Sequence, residues 1–331
     1  MTSLDGTVLV TGGAGYIGSH TVRALRAAGR DVVVLDSLEL GRREAVIDAP
    51  FVVGDIRDND LVTATCNEHG VTQLVHFAAY KAVGESMESP AKYWRNNVAG
   101  SVELFEACLA AGVEDVVFSS SCSVNGTPPS VPVVESHPIA PESVYAESKA
   151  MVEKILYWYG QTSPMRSVSL RYFNAAGASV DGRIGEDWTY SFNLIPHVMK
   201  ALLLPDHSMK VFGDDYDTPD GTCIRDYIHV EDLADAHVRA LAYLSNGGET
   251  TAVNVGTGTG SSVFDVINAA AKVAGQPVPH SVEPRRAGDP VATYADPTHA
   301  KNVLGWNAKH GLSTIIESAY AWHTSQLDGT R

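Results

Sequence analysis

The chain has 331 residues, 44% hydrophobic and 19% charged, which supplies a sizeable core and excludes wholesale disorder. Its formal net charge of −15 repels phosphate backbones and anionic membranes, which argues against nucleic acid or a membrane as partner, so an anionic ligand needs local cations or a helix N-terminus. Cys66, Cys108, Cys122 and Cys223 show no CxxC pairing and predict free thiols in a reducing compartment, without a zinc site. No apolar run reaches membrane-spanning length and residues 1–6 (MTSLDG) do not read as a signal peptide, so the expected address is the cytoplasm.

In chain order, residues 7–10 (TVLV), 31–35 (DVVVL), 51–53, 73–77 (QLVHF), 115–119 (DVVFS) and 167–170 (SVSL) read as buried strands. Their near-continuous apolar character suits a parallel sheet covered on both faces. Helices are predicted over about 17–28, 60–69, 90–111 and 145–159, with Gly29 and Gly70 placed to end two of them. The repetition predicts an α/β fold, a Rossmann-like doubly wound parallel sheet. Beyond about Gly177, eight prolines from Pro196 to Pro297 punctuate shorter elements, with helices near 232–244 and 263–274. This predicts a smaller C-terminal α/β lobe over the carboxyl edge of the sheet. No linker, repeat or low-complexity tract separates the two.

Gly12-Gly13-Ala14-Gly15-Tyr16-Ile17-Gly18 follows the first strand and opens the first helix. Glycines there allow a tight turn and let the backbone approach a pyrophosphate, while the helix N-terminus offers unpaired N–H groups. The run satisfies GxGxxG (Gly13, Gly15, Gly18) and GxxGxxG (Gly12, Gly15, Gly18), so its register stays open; a plain turn is the simpler alternative. Asp36 ends the second strand, 18 residues beyond Gly18. A carboxylate there accepts ribose hydroxyls and repels a 2′-phosphate, favouring NAD over NADP. Arg42 and Arg43 lie close enough to keep NADP open. Asp55, after the third strand, is a candidate for the adenine.

Tyr145-Ala146-Glu147-Ser148-Lys149 places a phenol and an ammonium at i and i+4 on one helical face. A neighbouring Lys149 and the positive nicotinamide would both stabilise phenolate and lower the tyrosine pKa, suiting it to take a proton from a sugar hydroxyl. Ser119-Ser120-Ser121-Cys122-Ser123 ends a strand of the same sheet, where ligands of such folds lie. A hydroxyl there can bridge substrate and phenol. A surface tyrosine over a solvated lysine, and serine-rich turn chemistry, are the plainer readings of each piece alone.

From residue 8 to about 306 the sequence resembles the UDP-galactose (UDP-glucose) 4-epimerases of the extended short-chain dehydrogenase/reductase superfamily. The carriers are VTGGAGYIGSHT (10–21), GDIRD (54–58), KAVGES (81–86), SSSCSVNG (119–126), LRYFNAAGA (170–178), GTCIRDYIHVEDLADAHV (221–238) and PRRAGD (284–289). The resemblance implies Ser121, Tyr145 and Lys149 as catalytic residues. It implies NAD contacts from Gly12, Gly15, Tyr16, Ile17, Gly18, Asp36, Ser37, Asp55, Ile56, Phe77, Ala78, Ala79, Lys81, Asn96 and Phe173, joined by Tyr145 and Lys149. For a UDP-sugar it implies Arg225 and Arg286 on the diphosphate, and Asn174, Asn193 and Leu194 on phosphate, sugar or uracil. Phe212 would pack the uracil, Asp289 would bond its ribose, and Thr293 would wall the sugar pocket, with Lys81, Ser121 and Tyr145 also touching substrate. Taken alone, Arg225 reads as an ion-pair partner of Asp226 and Phe212 as core. A homodimer through helices near 90–111 and 145–159 is also implied.

Asn125 stands where the family has a tyrosine, Glu147 adds a negative charge to the catalytic helix, and Leu40-Gly41 replaces a polar pair after Asp36. The expected reaction is C4 epimerisation of a UDP-hexose through a 4-keto sugar, with tightly held NAD. Rival readings are a 4-epimerase of UDP-N-acetylhexosamine, pentose or glucuronate, a sugar-nucleotide 4,6-dehydratase, and a non-catalytic dinucleotide sensor. Cys122-Ser123 stand where the dehydratases carry an Asp-Glu pair, and the intact Tyr145/Lys149 pair argues against the sensor. The expected domains are an NAD-binding domain over 1–177 and a substrate lobe over 178–331, with segments near 221–256 returning to the first.

Overall fold

The computed structural model describes residues 6–286, 288–327 and 329. Residues 1–5, which carry most of the leader-free reading and the start of the first expected domain, lie outside these, as do Ala287 of the 284–289 motif and positions 328, 330 and 331.

The chain begins β1 (Thr7–Thr11), α1 (Tyr16–Ala27), β2 (Asp31–Asp36), β3 (Phe51–Val53), α2 (Asn59–His69) and β4 (Val71–His76). It continues α3 (Val83–Glu88), α4 (Pro90–Tyr93), α5 (Gly100–Ala110), β5 (Asp115–Ser119), α6 (Val144–Thr162) and β6 (Arg166–Tyr172). Then come β7 (Asn174–Ala176), α7 (Leu194–Leu203), β8 (Met209–Phe212), β9 (Ile224–His229), α8 (Val230–Ser245) and β10 (Thr251–Val255). The last elements are β11 (Gly260–Ser262), α9 (Val263–Ala274), β12 (His280–Glu283), β13 (Ala292–Thr293), α10 (Thr298–Leu304) and α11 (Leu312–Leu327).

Seven strands form one parallel sheet in the order β10-β6-β5-β4-β1-β2-β3, so strand order reverses between β1 and β4. A crevice opens outside the carboxyl ends at such a point. Successive side chains of a strand face opposite ways. Val8 and Val10 therefore enter the core under α1 and α8, while Leu9, Val33 and Leu74 enter the core under α2, α5 and α6. Each such burial stabilises by roughly 1.5–3 kcal/mol, which is why the strands are apolar on both faces. The six predicted strands are present, and β10, pairing β6, adds a seventh.

The smaller layer is built from β7, β9, β11 and β13, with β8 and β12 as a separate pair. Val198, Val266, Ile267, Ile315 and Ile316 make its core. The predicted helix 90–111 is not continuous: α4 and α5 are separated by a π-helical stretch, Trp94–Ala99. The widened turn brings Asn97 inward, where its side chain bonds both Tyr80 N and Tyr80 O at 2.9 and 3.0 Å. Such bulges gather at functional sites. Gly70 ends α2 in the left-handed region as expected, and α3, α7, α10 and α11 had no counterpart in the predicted elements.

Candidate active site

The crevice at the strand-order switch is lined by Gly12, Gly15, Tyr16, Ile17, Gly18, Asp36, Ser37, Asp55, Ile56, Phe77, Ala78, Ala79, Lys81 and Asn96, with Tyr145 and Lys149 at one end. Gly12, Gly15 and Gly18 line the crevice, whereas Gly13 does not and a Cβ there would instead meet Val34 at 2.8 Å. Gly12 has φ +71° and a Cβ there would lie 2.6 Å from Ala78 N, while a Cβ at Gly18 would lie 2.2 Å from Gly12 O. Helix α1 carries no side-chain cap and no acid in its first turn, so its N–H groups face the crevice uncapped, as an anionic pyrophosphate requires. Asp36 accepts the N–H groups of Ala14 and Leu38, both at 2.9 Å, which holds its carboxylate at the end of β2. Gly41 supplies room beside it, since a Cβ there would lie 2.9 Å from Asp36 Oδ1; that is what the Leu40-Gly41 departure does. Glycine cradle, uncapped helix and buried acid together fit NAD.

Neither nearby arginine is free for a 2′-phosphate. Arg42 pairs with Asp187 at 2.5 Å, and Arg43 lies over the Phe51 ring and bonds Val46 O. Asp55 lines the crevice, but its carboxylate is held by Arg57 through Nε at 2.9 Å and Nη2 at 2.5 Å. Phe173 does not line it; it is buried with Val133 and Ala295.

Tyr145 and Lys149 meet the crevice because α6 packs on the sheet face over β5 and β6, burying Val152 and Leu156 there, and starts near the strand ends. The three serines after β5 have different fates. Ser119 Oγ shares a hydrogen bond with Tyr172 at 2.5 Å, and Ser120 donates to Glu153, which also holds Arg171. Ser121 Oγ accepts from Ser123 N at 3.2 Å and from Ser123 Oγ at 2.8 Å, and its nearness to the Tyr145 phenol opposes the rise of that phenol. Ser119 lines the crevice with Tyr145 and Lys149, whereas the expected Ser121 does not. Lys149 donates to Ser119 O at 2.7 Å, and its ammonium stands 5.9 Å from the Tyr145 ring centroid.

The electrostatics depart from the sequence expectation. Burial pushes the Tyr145 phenol well above its ordinary value, with Tyr172 adding to the rise and only Ser121 opposing it. Burial likewise pulls Lys149 down to about 7, against the Glu153 carboxylate. The frame thus resists both charges; adjacency of phenol and ammonium does not by itself lower the phenol, because both have left water.

A second cleft is lined by Asn174, Asn193, Leu194, Phe212, Arg225, Arg286 and Asp289, together with Phe192, His197 and Lys210. Arg225 pairs with Asp289, not with its neighbour Asp226, whose carboxylate accepts Thr257 N, Gly258 N and Ala295 N. The Arg286 guanidinium lies 3.8 Å above the Phe212 ring, so Phe212 is a cleft wall, not core. Thr293 pairs in register with Arg225 in β13, outside the lining of either cleft, and its hydroxyl is buried with no hydrogen-bond partner.

Cys122 lines neither cleft and packs against the cluster of Val133, Phe173 and Ala295. Asn125 donates to the carbonyls of His137 and Pro138, pinning the following loop, and Glu147 sits in the first turn of α6 where the helix N-terminus favours a carboxylate. Asn97, Phe192, Glu186 and Asp187 carried no sequence signal; a π-bulge and tertiary packing bring them in. Among the described residues no group of His, Cys, Asp and Glu is arranged to hold a metal, and no helix is long and apolar enough to cross a membrane.

This is the architecture of a dinucleotide-dependent enzyme that exchanges a proton and an electron pair with one carbon of its substrate. Residues 8–256 match the model of the NAD dependent epimerase/dehydratase family, and the chain belongs to it. The UDP-glucose 4-epimerase of Rhizobium meliloti (strain 1021) is 47% identical over 325 residues, 98% of this chain and 99% of that protein. The crystal structure of the Brucella ovis UDP-glucose 4-epimerase in complex with NAD is similar with TM-score 0.94 and 44% identity, covering 96% of this chain and 98% of that one. The Bifidobacterium longum UDP-glucose 4-epimerase in complex with NAD+ and UDP gives TM-score 0.92 and 39% identity, covering 98% and 99%.

Proposed function

We propose that this protein interconverts UDP-glucose and UDP-galactose by reversible C4 epimerisation, with NAD in the first crevice and the nucleotide diphosphate in the second. The observation that carries the reading is the meeting of Tyr145 and Lys149 at the end of a glycine-lined crevice, beside a cleft holding two arginines on a chain of net charge −15.

Bound NAD supplies the two-electron oxidation and re-reduction at C4. Tyr145 accepts the C4 hydroxyl proton and returns it after the keto sugar has turned over, and Ser121 bridges the sugar oxygen to the phenol. Lys149, fixed on Ser119 O, orients the ribose side of the crevice and supplies the local positive charge. Arg225 and Arg286 grip the diphosphate while the sugar moves. A dehydratase would need an acid near C6. Burial raises Cys122 to about 12 and Ser123 spends its hydroxyl on Ser121, so neither serves.

The supporting experiment is denaturation of purified protein and assay for released NAD, paired with turnover of a UDP-sugar panel without added cofactor. Retained NAD and epimerisation of UDP-galactose are expected; protein that arrives empty and works only with stoichiometric NADPH would sink the reading.

The same reading extends to substrate breadth. Thr293 lies outside both clefts as they stand, so it can bear on substrate breadth only if the turning sugar reaches β13; on that reading UDP-GlcNAc and UDP-GalNAc are expected to interconvert as well. Thr293→Tyr should suppress that pair selectively, since filling a pocket penalises the larger substrate more. Wild-type activity confined to plain hexoses would refute the pocket argument.

Met151, Tyr157 and Trp158 stand exposed on α6, an apolar face suited to a second copy of the chain, and the four free thiols suit the cytoplasm. The division into an NAD-binding domain over 1–177 and a substrate lobe over 178–331 is part of the same proposal; α8 packing on α1 and β10 pairing β6 support the return of 221–256 to the first.

A further inference from the structure

The cofactor crevice is bounded on the side of the smaller lobe by Gly185, Glu186 and Asp187, a short segment preceding the 3-10 turn Trp188–Tyr190. Its outer side is fixed. The Trp322 indole donates to Glu186 O at 3.0 Å, a Cβ at Gly185 would lie 2.6 Å from that indole, and Asp187 Oδ1 accepts Thr189 N at 2.9 Å. Its inner side reaches across the crevice through two ion pairs. Asp187 Oδ2 lies 2.5 Å from Arg42 Nη2 and Glu186 Oε1 lies 3.6 Å from Lys81 Nζ, ion pairs by distance in which neither carboxylate oxygen makes an aligned hydrogen bond. Arg42 belongs to the loop after β2, tied by its N–H to Ala14 O at 3.0 Å, and Lys81 follows β4. The pairs therefore reach both sides of the strand-order switch from one three-residue segment, and all four charged residues line the crevice.

We propose that Glu186 and Asp187 are positioning residues that close a salt-bridged strap over the dinucleotide, with Arg42 and Lys81 as its catches, and that the strap slows departure of the cofactor. The proposal rests on the NAD-retaining epimerase reading above. An enzyme that lets its reduced cofactor go in mid-cycle strands a ketone, so slow release has a direct chemical use. The Arg42–Asp187 pair is the stronger catch, because it is shorter and the Asp187 side chain is only 19% exposed. Arg42 itself is 60% exposed, so its charge can be removed without disturbing the core.

The test loads holoenzyme with radiolabelled NAD, dilutes it into excess unlabelled NAD, and follows the protein-bound label by rapid gel filtration. Arg42→Gln and Asp187→Asn are each expected to release label about fivefold faster, the size of a partly exposed ion pair. The double variant should be no faster than either single one, because the two residues act as a unit. Arg42→Lys, which keeps the charge, should stay near wild type, and added salt should quicken wild-type release more than release from Arg42→Gln. Unchanged release from Arg42→Gln, or effects that add in the double variant, overturn the strap. Wild-type protein that holds no label at all overturns the NAD-retaining reading instead, so the two failures are distinguishable.

Discussion

Tyr145→Phe is expected to lower epimerase turnover by about 10²-fold or more while leaving the fold and bound NAD in place. In the proposed function the phenol is the group assigned to take the C4 proton. Ser119 and Ser120 are engaged with Tyr172 and Glu153, and Ser121 lacks the acidity to act alone. Burial holds the phenol well above its usual value, so the loss falls on proton transfer itself, with little change in UDP-sugar affinity. Lys149→Ala should be comparably damaging, since it removes the cation that the site keeps on Ser119 O. Thermal unfolding and NAD content of Tyr145→Phe should match wild type. Near-normal turnover in Tyr145→Phe would show that the proton goes elsewhere.

Acid should unfold this protein steeply below neutrality. His20, His76, His229, His237 and His323 are buried, at 0–4% exposure. Burial pulls four of them down to about 4 and His76 to about 3, where Lys149 adds to the effect. Their folded pKa values lie below the unfolded value of about 6.5, so between these limits the unfolded chain binds more protons. Stability is therefore complete above pH 6.5 and is lost as pH falls toward 4. Each histidine contributes about 1.4 kcal/mol per pH unit in that window, and five acting together about 7, against a typical total of 5–15 kcal/mol. Glu186 and Asp226, raised by burial, oppose this in the same range, so the net slope should be somewhat smaller. Urea midpoints from pH 7 to 5 should fall accordingly, and His237→Gln should flatten the slope by about one proton. A midpoint flat over that range would contradict the assignment of these histidines as neutral in the folded chain.

What the sequence disclosed were features with a local physical cause. Strands β3 and β5 stand where their unbroken apolar runs lie, and Tyr145 and Lys149 share a face because i and i+4 must on a helix. What stayed hidden depends on distant chain segments. Helical periodicity in 90–111 says nothing of the π stretch, whose cause is the bond from Asn97 back to Tyr80. Three adjacent serines are indistinguishable until Tyr172 and Glu153 claim two of them. The glycine register needed Ala78, brought in by β4. Spacing reports that a lysine is near Tyr145, whereas burial, which spacing does not show, raises the phenol in the protein chain by itself. Glu186 and Asp187 lie more than a hundred residues from their partners and no pattern links them.

Asp226 has a further bearing on how the substrate moves. Its carboxylate fastens the middle of β9 to Thr257 and Gly258, the residues just past β10, and to Ala295 just past β13. The preceding residue, Arg225, points the other way, into the nucleotide cleft, as alternate residues of a strand must. In the proposed function Arg225 is the post for the diphosphate, and it is bolted, one residue along, to the same seven-stranded sheet that carries Tyr145's neighbours. With both ends of the reaction path referenced to one frame, the swing is left to the sugar on its diphosphate leash. The radius of that swing is set by the length of the pyrophosphate linkage, and the sheet need not bend for either face of C4 to come round.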